Sequence, residues 1–190
     1  MQYYIFLDDI IGNEIADILI SKAKQGVMVK VIYDHIGSFS ARNRFFDKMK
    51  QHGVETHPFF RVNFPHFANR INWRNHRKIV VIDGNIGYIG GMNIADRYVN
   101  GLPNGEEWRD THFRVRGDIV ESLIYSFAID WNFLKKDPYV PEVKTERSEI
   151  CNLTGVQLVT GGPTERWNNL TLCFLRAISS APVSYTHLTL

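Results

Sequence analysis

The stretch Asn75-His76-Arg77-Lys78-Ile79-Val80-Val81-Ile82-Asp83-Gly84-Asn85-Ile86-Gly87-Tyr88-Ile89-Gly90-Gly91-Met92-Asn93 decides the fold. It holds two short apolar runs, Ile79 to Ile82 and Ile86 to Ile89, split by Asp83-Gly84-Asn85. Asp-Gly supplies the positive-φ positions of a tight turn, so the runs predict a β-hairpin. Alternation along a strand puts His76 and Lys78 on one face, and the return strand brings Gly90, Gly91 and Asn93 back beside them.

Upstream of the hairpin the chain alternates strand and helix. Tyr3 to Leu7 is an aromatic and β-branched run that reads as a strand beginning almost at the first residue. From Gly12 to Gln25, Ile15, Ile18, Leu19 and Ala23 recur at helical spacing, and Gly26 closes the pattern. Val27 to Tyr33 reads as a buried strand, Arg42 to Gln51 as an amphipathic helix stopped by Gly53, and Val54 to Phe60 as a strand. Downstream, Thr111 to Val115 alternates as a strand and Ile119 to Leu134 is an apolar-faced helix. This order predicts an α/β fold with a mixed, mostly parallel sheet flanked by helices.

Residues 1–134 therefore form one domain. Residues 135–155 carry Pro138, Pro141 and mixed charges and read as a linker. Val156 to Thr160, the Gly161-Gly162-Pro163 turn and a helix over Asn169 to Ser179 read as the truncated start of a second, similar unit, 156–182. Residues 183–190 continue no apolar pattern and resemble translated adapter sequence, so they read as a non-native tail.

The chain has 190 residues, 44% hydrophobic and 22% charged, which fits a globular domain and excludes disorder, collagen and coiled coil. Its 22 Lys+Arg against 20 Asp+Glu leave a net charge of +2, too balanced for a protein acting by non-specific attraction to nucleic acid or anionic lipid. Any phosphate chemistry must sit in a local site. Cys151 and Cys173 show no metal-ligand spacing, so neither a disulfide framework nor a structural zinc site is expected. No apolar run approaches the roughly 18 to 20 residues that span a bilayer.

Written as spacing, the hairpin reads H-x-K-x4-D-x6-G-G-x-N. Attack on a phosphodiester needs a nucleophile or proton carrier that works near neutral pH, which His76 supplies. It needs fixed positive charge and donors on the non-bridging oxygens, which Lys78 and Asn93 supply. Gly90 and Gly91 admit a bulky anion close to the backbone. Asp83 completes the catalytic set by position, although a turn aspartate bonds its own backbone and so fixes the hairpin. Arg70, Arg74 and Arg77 form a basic cluster that either binds a phosphate or forms a solvated face, with Arg74 taken as substrate-binding. Phe59, Phe60, Phe64 and Phe67 flank it, as core residues or as contacts for acyl chains. His112 is expected to be a satisfied structural histidine.

At every defining position this string resembles the phospholipase D superfamily signature. Tyr3-Tyr4-Ile5-Phe6, Gly26-Val27 through Tyr33-Asp34, Trp108-Arg109-Asp110-Thr111-His112, Phe127 with Asp130-Trp131, and Gln157-Leu158-Val159 resemble bacterial cardiolipin synthases over nearly all of residues 2–181. The resemblance implies two similar α/β halves, each giving one H-x-K motif to a single junctional site, of which this chain holds the first half and the start of the second. It implies transfer from phosphatidylglycerol to a second phosphatidylglycerol through a phosphatidyl-histidine, with no metal and no cofactor. Asp110 would then accept the other ring N–H of His76, the alternative being a strand-capping aspartate or an ion pair with Arg109. The second histidine would come from the other half in cis or from a homodimer, and the longer bacterial parent would work at the cytoplasmic membrane. The fragment alone is expected to be inactive. The alternatives are a single-motif nuclease that dimerises, against which the near-neutral charge speaks, and a non-catalytic phospholipid-binding module.

Overall fold

A computed structural model describes residues 1–61, 74–102, 104–134, 138–141, 155–161 and 169–181. They form two compact units, residues 1–152 and 153–190. The 183–190 tail, most of the 135–155 linker, Arg70, Phe64, Phe67, Cys151 and the Gly162-Pro163 turn lie outside the described residues.

The first unit runs β1 (Gln2–Tyr3), α1 (Ile10–Lys24), β2 (Lys30–Asp34), α2 (Asn43–Gln51), β3 (Glu55–Phe59), β4 (Ile79–Ile82), β5 (Ile86–Gly90), α3 (Arg97–Asn100), β6 (His112–Arg116) and α4 (Ile119–Leu134). Helix α1 starts earlier than the apolar spacing suggests, because Asp9 caps it by accepting from the Gly12 N–H. The predicted first strand is cut short. Only Gln2 and Tyr3 join the main ladder, while Phe6 makes a separate parallel bridge to Ile94 and is wholly buried.

The strands form one sheet in the order β3-β2-β1-β4-β5-β6. It is a mixed sheet, as expected, but its parallel part is confined to β1, β2 and β3. The β1–β4, β4–β5 and β5–β6 pairings are antiparallel, so "mostly parallel" holds for the first half alone. The reason is local: the Asp83-Gly84 turn, with φ +52° and +66°, forces β5 back along β4, and β6 continues the meander.

Alternation in β2 divides the core. Val31 and Tyr33 face α1 and α2, packing with Phe6, Ile20, Phe45, Phe46 and Met49. Ile32 faces the other way, onto Phe127 and Trp131 of α4. Each such fully buried aliphatic or phenyl side chain contributes about 1.5 to 3 kcal/mol. The second unit contains α5 (Asn169–Ser180), where the periodicity placed a helix.

Candidate active site

The C-terminal ends of β1 and β2 meet the segment leading into β4, and this junction holds the signature. His76 and Lys78 precede the first residue of β4, and the Lys78 Nζ donates to the His76 carbonyl at 2.7 Å. The His76 imidazole lies on the Tyr4 ring, centroids 4.0 Å apart and planes 19° apart. Lys78 Nζ sits 5.6 Å from the same ring centre.

Two buried carboxylates hold the segment. Asp34 ends β2; its Oδ1 accepts from the Ile36 and Gly37 N–H groups and its Oδ2 accepts from the Asn75 N–H at 3.1 Å. Asp130, on α4, accepts from Asn75 Nδ2 at 2.9 Å, from Gln2 Nε2 at 2.6 Å and from the Arg77 guanidinium. Asn75, 5% exposed, is therefore tied through its backbone to one carboxylate and through its side chain to the other. His76 is the next residue. A buried carboxylate is tolerated only when its oxygens are paired, and here the donors come from the signature segment, from β1 and from the turn after β2.

Asn93 is buried and fully engaged: Oδ1 accepts from the Ile5 N–H at 3.0 Å and Nδ2 donates to the Tyr98 hydroxyl at 2.6 Å. It fixes the chain one residue beyond Tyr4. Gly90 and Gly91 are needed for close approach to β6. A Cβ on Gly91 would lie 2.0 Å from the Asp110 Oδ1, and one on Gly90 would lie 2.3 Å from the Thr111 carbonyl oxygen. Their role here is to let this neighbouring segment come close.

Four sequence expectations change. Asp83 is not brought to His76: it sits in the turn at the far end of β4, five residues past Lys78, about 16 Å at 3.3 Å per residue. Arg74, expected to bind substrate, is ion-paired to Asp34 at 3.4 Å with 6% of its side chain exposed. Asp110 accepts from the Thr111 N–H at 2.7 Å, and no hydrogen bond joins it to His76 among the described residues. Its electrostatic partners are Lys78 and His112. His112, expected to be satisfied, has a buried Nδ1 with no hydrogen-bond partner, because β6 pairing presses that face onto Gly90.

Electrostatics favour a neutral imidazole. Burial, then Lys78 and Arg74, push the His76 pKa below the ordinary histidine value, and Asp34 opposes them. Burial lowers Lys78 as well, against the pull of Asp110. No group of three or more His, Cys, Asp or Glu is placed to hold a metal ion among the described residues. A cavity of about 680 Å³ opens at the other end of the sheet, between Met1, Lys30, Asp83 and Trp131. Of the defining signature residues it contains Asp83 alone, and His76, Lys78 and Asn93 do not line it.

Sequence reasoning gave no role to Tyr4, Asn75, Asp34 or Asp130. A usable signal was present for Asp130, a carboxylate inside the apolar stripe Phe127-Ala128-Ile129-Asp130-Trp131, where an unpaired charge would be costly.

Residues 1–107 match the family described as cardiolipin synthase, PLD-like domain. The chain is 44% identical over 183 residues to cardiolipin synthase 2 of Bacillus cereus, covering 95% of this chain and 36% of that protein. It is 38% identical over 184 residues to the major cardiolipin synthase ClsA of Bacillus subtilis, covering 95% of this chain and 38% of that protein. The chain thus spans little more than a third of these relatives. Among solved structures, Nuc of Salmonella typhimurium, a phospholipase D family member, aligns with TM-score 0.46 and 20% identity over 70% of this chain and 76% of that one.

Proposed function

From a chain that belongs to the cardiolipin synthase family with its PLD-like domain, we propose a half-site for phosphatidyl transfer, with His76 as the nucleophile. The observation that carries the choice is the electrostatic setting of His76. Burial first, and then Lys78 and Arg74 against the pull of Asp34, disfavour the protonated ring, and a nucleophile needs a neutral nitrogen whereas a general acid needs a proton.

A neutral His76 nitrogen attacks the phosphorus of phosphatidylglycerol. The P–N bond forms and the P–O bond to the departing glycerol breaks. A second imidazole, supplied by another signature in the same longer protein or by a second copy, gives its proton to that glycerol oxygen. It then takes the proton of the acceptor hydroxyl, here of a second phosphatidylglycerol, whose oxygen attacks phosphorus and frees His76. The product is cardiolipin. Lys78 offsets charge on the non-bridging oxygens. Asp110 opposes the burial that lowers Lys78 and so favours the charged ammonium. No helix among the described residues is long and apolar enough to cross a membrane. The lipid is met at the surface of the cytoplasmic membrane, where the longer protein works.

A phosphatidyl ester of p-nitrophenol tests this without the second half, because p-nitrophenolate leaves without a proton. The chain in mixed micelles is expected to release about one equivalent in a burst and to retain base-stable, acid-labile phosphorus on His76. His76→Gln should abolish both. No burst from the wild-type chain, or a burst that survives His76→Gln, overturns the assignment.

A further inference from the structure

The backbone around His76 is tied through the Asn75 N–H and the His76 carbonyl, and its ring lies against Tyr4. The two rings stack at 4.0 Å and 19°. Tyr4 is itself wedged: a Cβ on Gly37 would lie 2.2 Å from the Tyr4 carbonyl oxygen and 2.8 and 2.9 Å from ring carbons Cε2 and Cδ2, so only glycine fits against that edge. Ser38 Oγ donates to the Tyr4 carbonyl and accepts from the Phe6 N–H, pinning the backbone on either side of Ile5.

One carboxylate coordinates both partners of the stack. Asp34 accepts from the Gly37 N–H, which sets the wedge behind Tyr4, and from the Asn75 N–H, which sets the backbone one residue before His76. Lys78 shares the platform, 5.6 Å from the Tyr4 ring centre. We propose that Tyr4, wedged by Gly37 and framed by Asp34, is a positioning residue that fixes the His76 imidazole by face-to-face stacking.

The stack has two consequences. It leaves the ring edges, where both nitrogens lie, as the part of His76 turned toward a substrate. It also places the electron-rich face of Tyr4 against a ring that becomes positive when protonated or phosphorylated, an attraction of the cation–π kind. Tyr4 thus opposes the effect of Lys78 and Arg74, and holds the imidazole in both of its charge states.

The catalytic meaning of the stack rests on His76 being the reacting imidazole, but its existence can be read without turnover. The test is a pH titration of the His76 ring Cε1–Hε1 signal by NMR in the full 190-residue chain, assigned through His76→Gln. In the wild type, that proton is expected to be shifted upfield by the Tyr4 ring and to show cross-relaxation with it. Tyr4→Leu should abolish the upfield shift and lower the His76 pKa by about half a unit, the size of an exposed cation–π contact. Tyr4→Phe should restore both, since the face and not the hydroxyl carries the effect. Tyr4→Leu indistinguishable from wild type, or Tyr4→Phe matching Tyr4→Leu, overturns the proposal. Should Tyr4→Leu lose its folded amide fingerprint, the wild type decides alone: absence of Tyr4–His76 cross-relaxation sinks it. A missing stack and a missing covalent label at His76 are separate results.

Discussion

Replacing Asp130 with alanine removes one acceptor from three donors at once. Gln2 is fully buried and Asn75 is 5% exposed, so neither Nδ2 nor Nε2 can turn to water. Arg77, with 29% of its side chain exposed, can. Two orphaned buried donors at about 1 to 3 kcal/mol each, with a small addition for the Arg77 pair because its guanidinium reaches water, place the loss at about 3 to 5 kcal/mol. For a chain of this size, 1 kcal/mol moves the melting temperature by about 2 to 4 °C, so the expected fall is about 6 to 20 °C. Asp17→Ala is the control, since its pair with Lys48 is 65% and 47% exposed and contributes under about 1 kcal/mol. Thermal unfolding followed by circular dichroism reads both variants at pH 7. A fall of less than about 3 °C for Asp130→Ala, or one no larger than that of Asp17→Ala, would refute the reasoning that this carboxylate ties the signature segment to α4.

Gly90→Ala should destabilise more than Gly91→Ala, because the first meets the Thr111 backbone and the second meets an Asp110 side chain that can swing away; comparing their melting temperatures checks the order. Overpacking of this kind costs about 1 to 3 kcal/mol, and equal losses would contradict it. His35, His76 and His112 all have pKa values lowered chiefly by burial, so between the folded and unfolded values the folded chain binds fewer protons. Stability should therefore be fully present above about pH 6.5 and decline as pH falls toward 5; a flat melting temperature over that range would be incompatible with these shifts. Asp83→Asn should leave both stability and the His76 titration unchanged, since Asn-Gly suits the same turn, whereas Asp83→Val should destabilise at φ +52°. A His76 titration displaced by Asp83→Asn would return Asp83 to the site.

The hairpin and its turn were legible because their causes are local. Asp83-Gly84 provides the positive φ angles and the flanking isoleucines and valines provide the strands. The same holds for α1, α2, α4 and α5, whose apolar spacing is a property of neighbouring residues. The three-strand parallel ladder followed from strand-helix-strand order, and the antiparallel half of the sheet was implicit in the predicted hairpin without being carried through to the sheet as a whole.

Spacing alone singled out His76 and Lys78 as candidates for the chemistry, and the charge balance by itself spoke against a broadly basic binding protein. What surrounds them depended on contacts between residues far apart in the chain. Asp34 reaches Asn75 across 41 positions, Gln2 reaches Asp130 across 128, and Tyr4, just past β1, meets His76 across 72. No periodicity encodes which buried carboxylate faces which amide, since burial and pairing are decided when β2, α4 and the β4 entry pack together. For the same reason Arg74 went from a headgroup ligand to a buried ion pair, because solvent access is a tertiary quantity, whereas the turn role of Asp83 was already readable from its Asp-Gly pair.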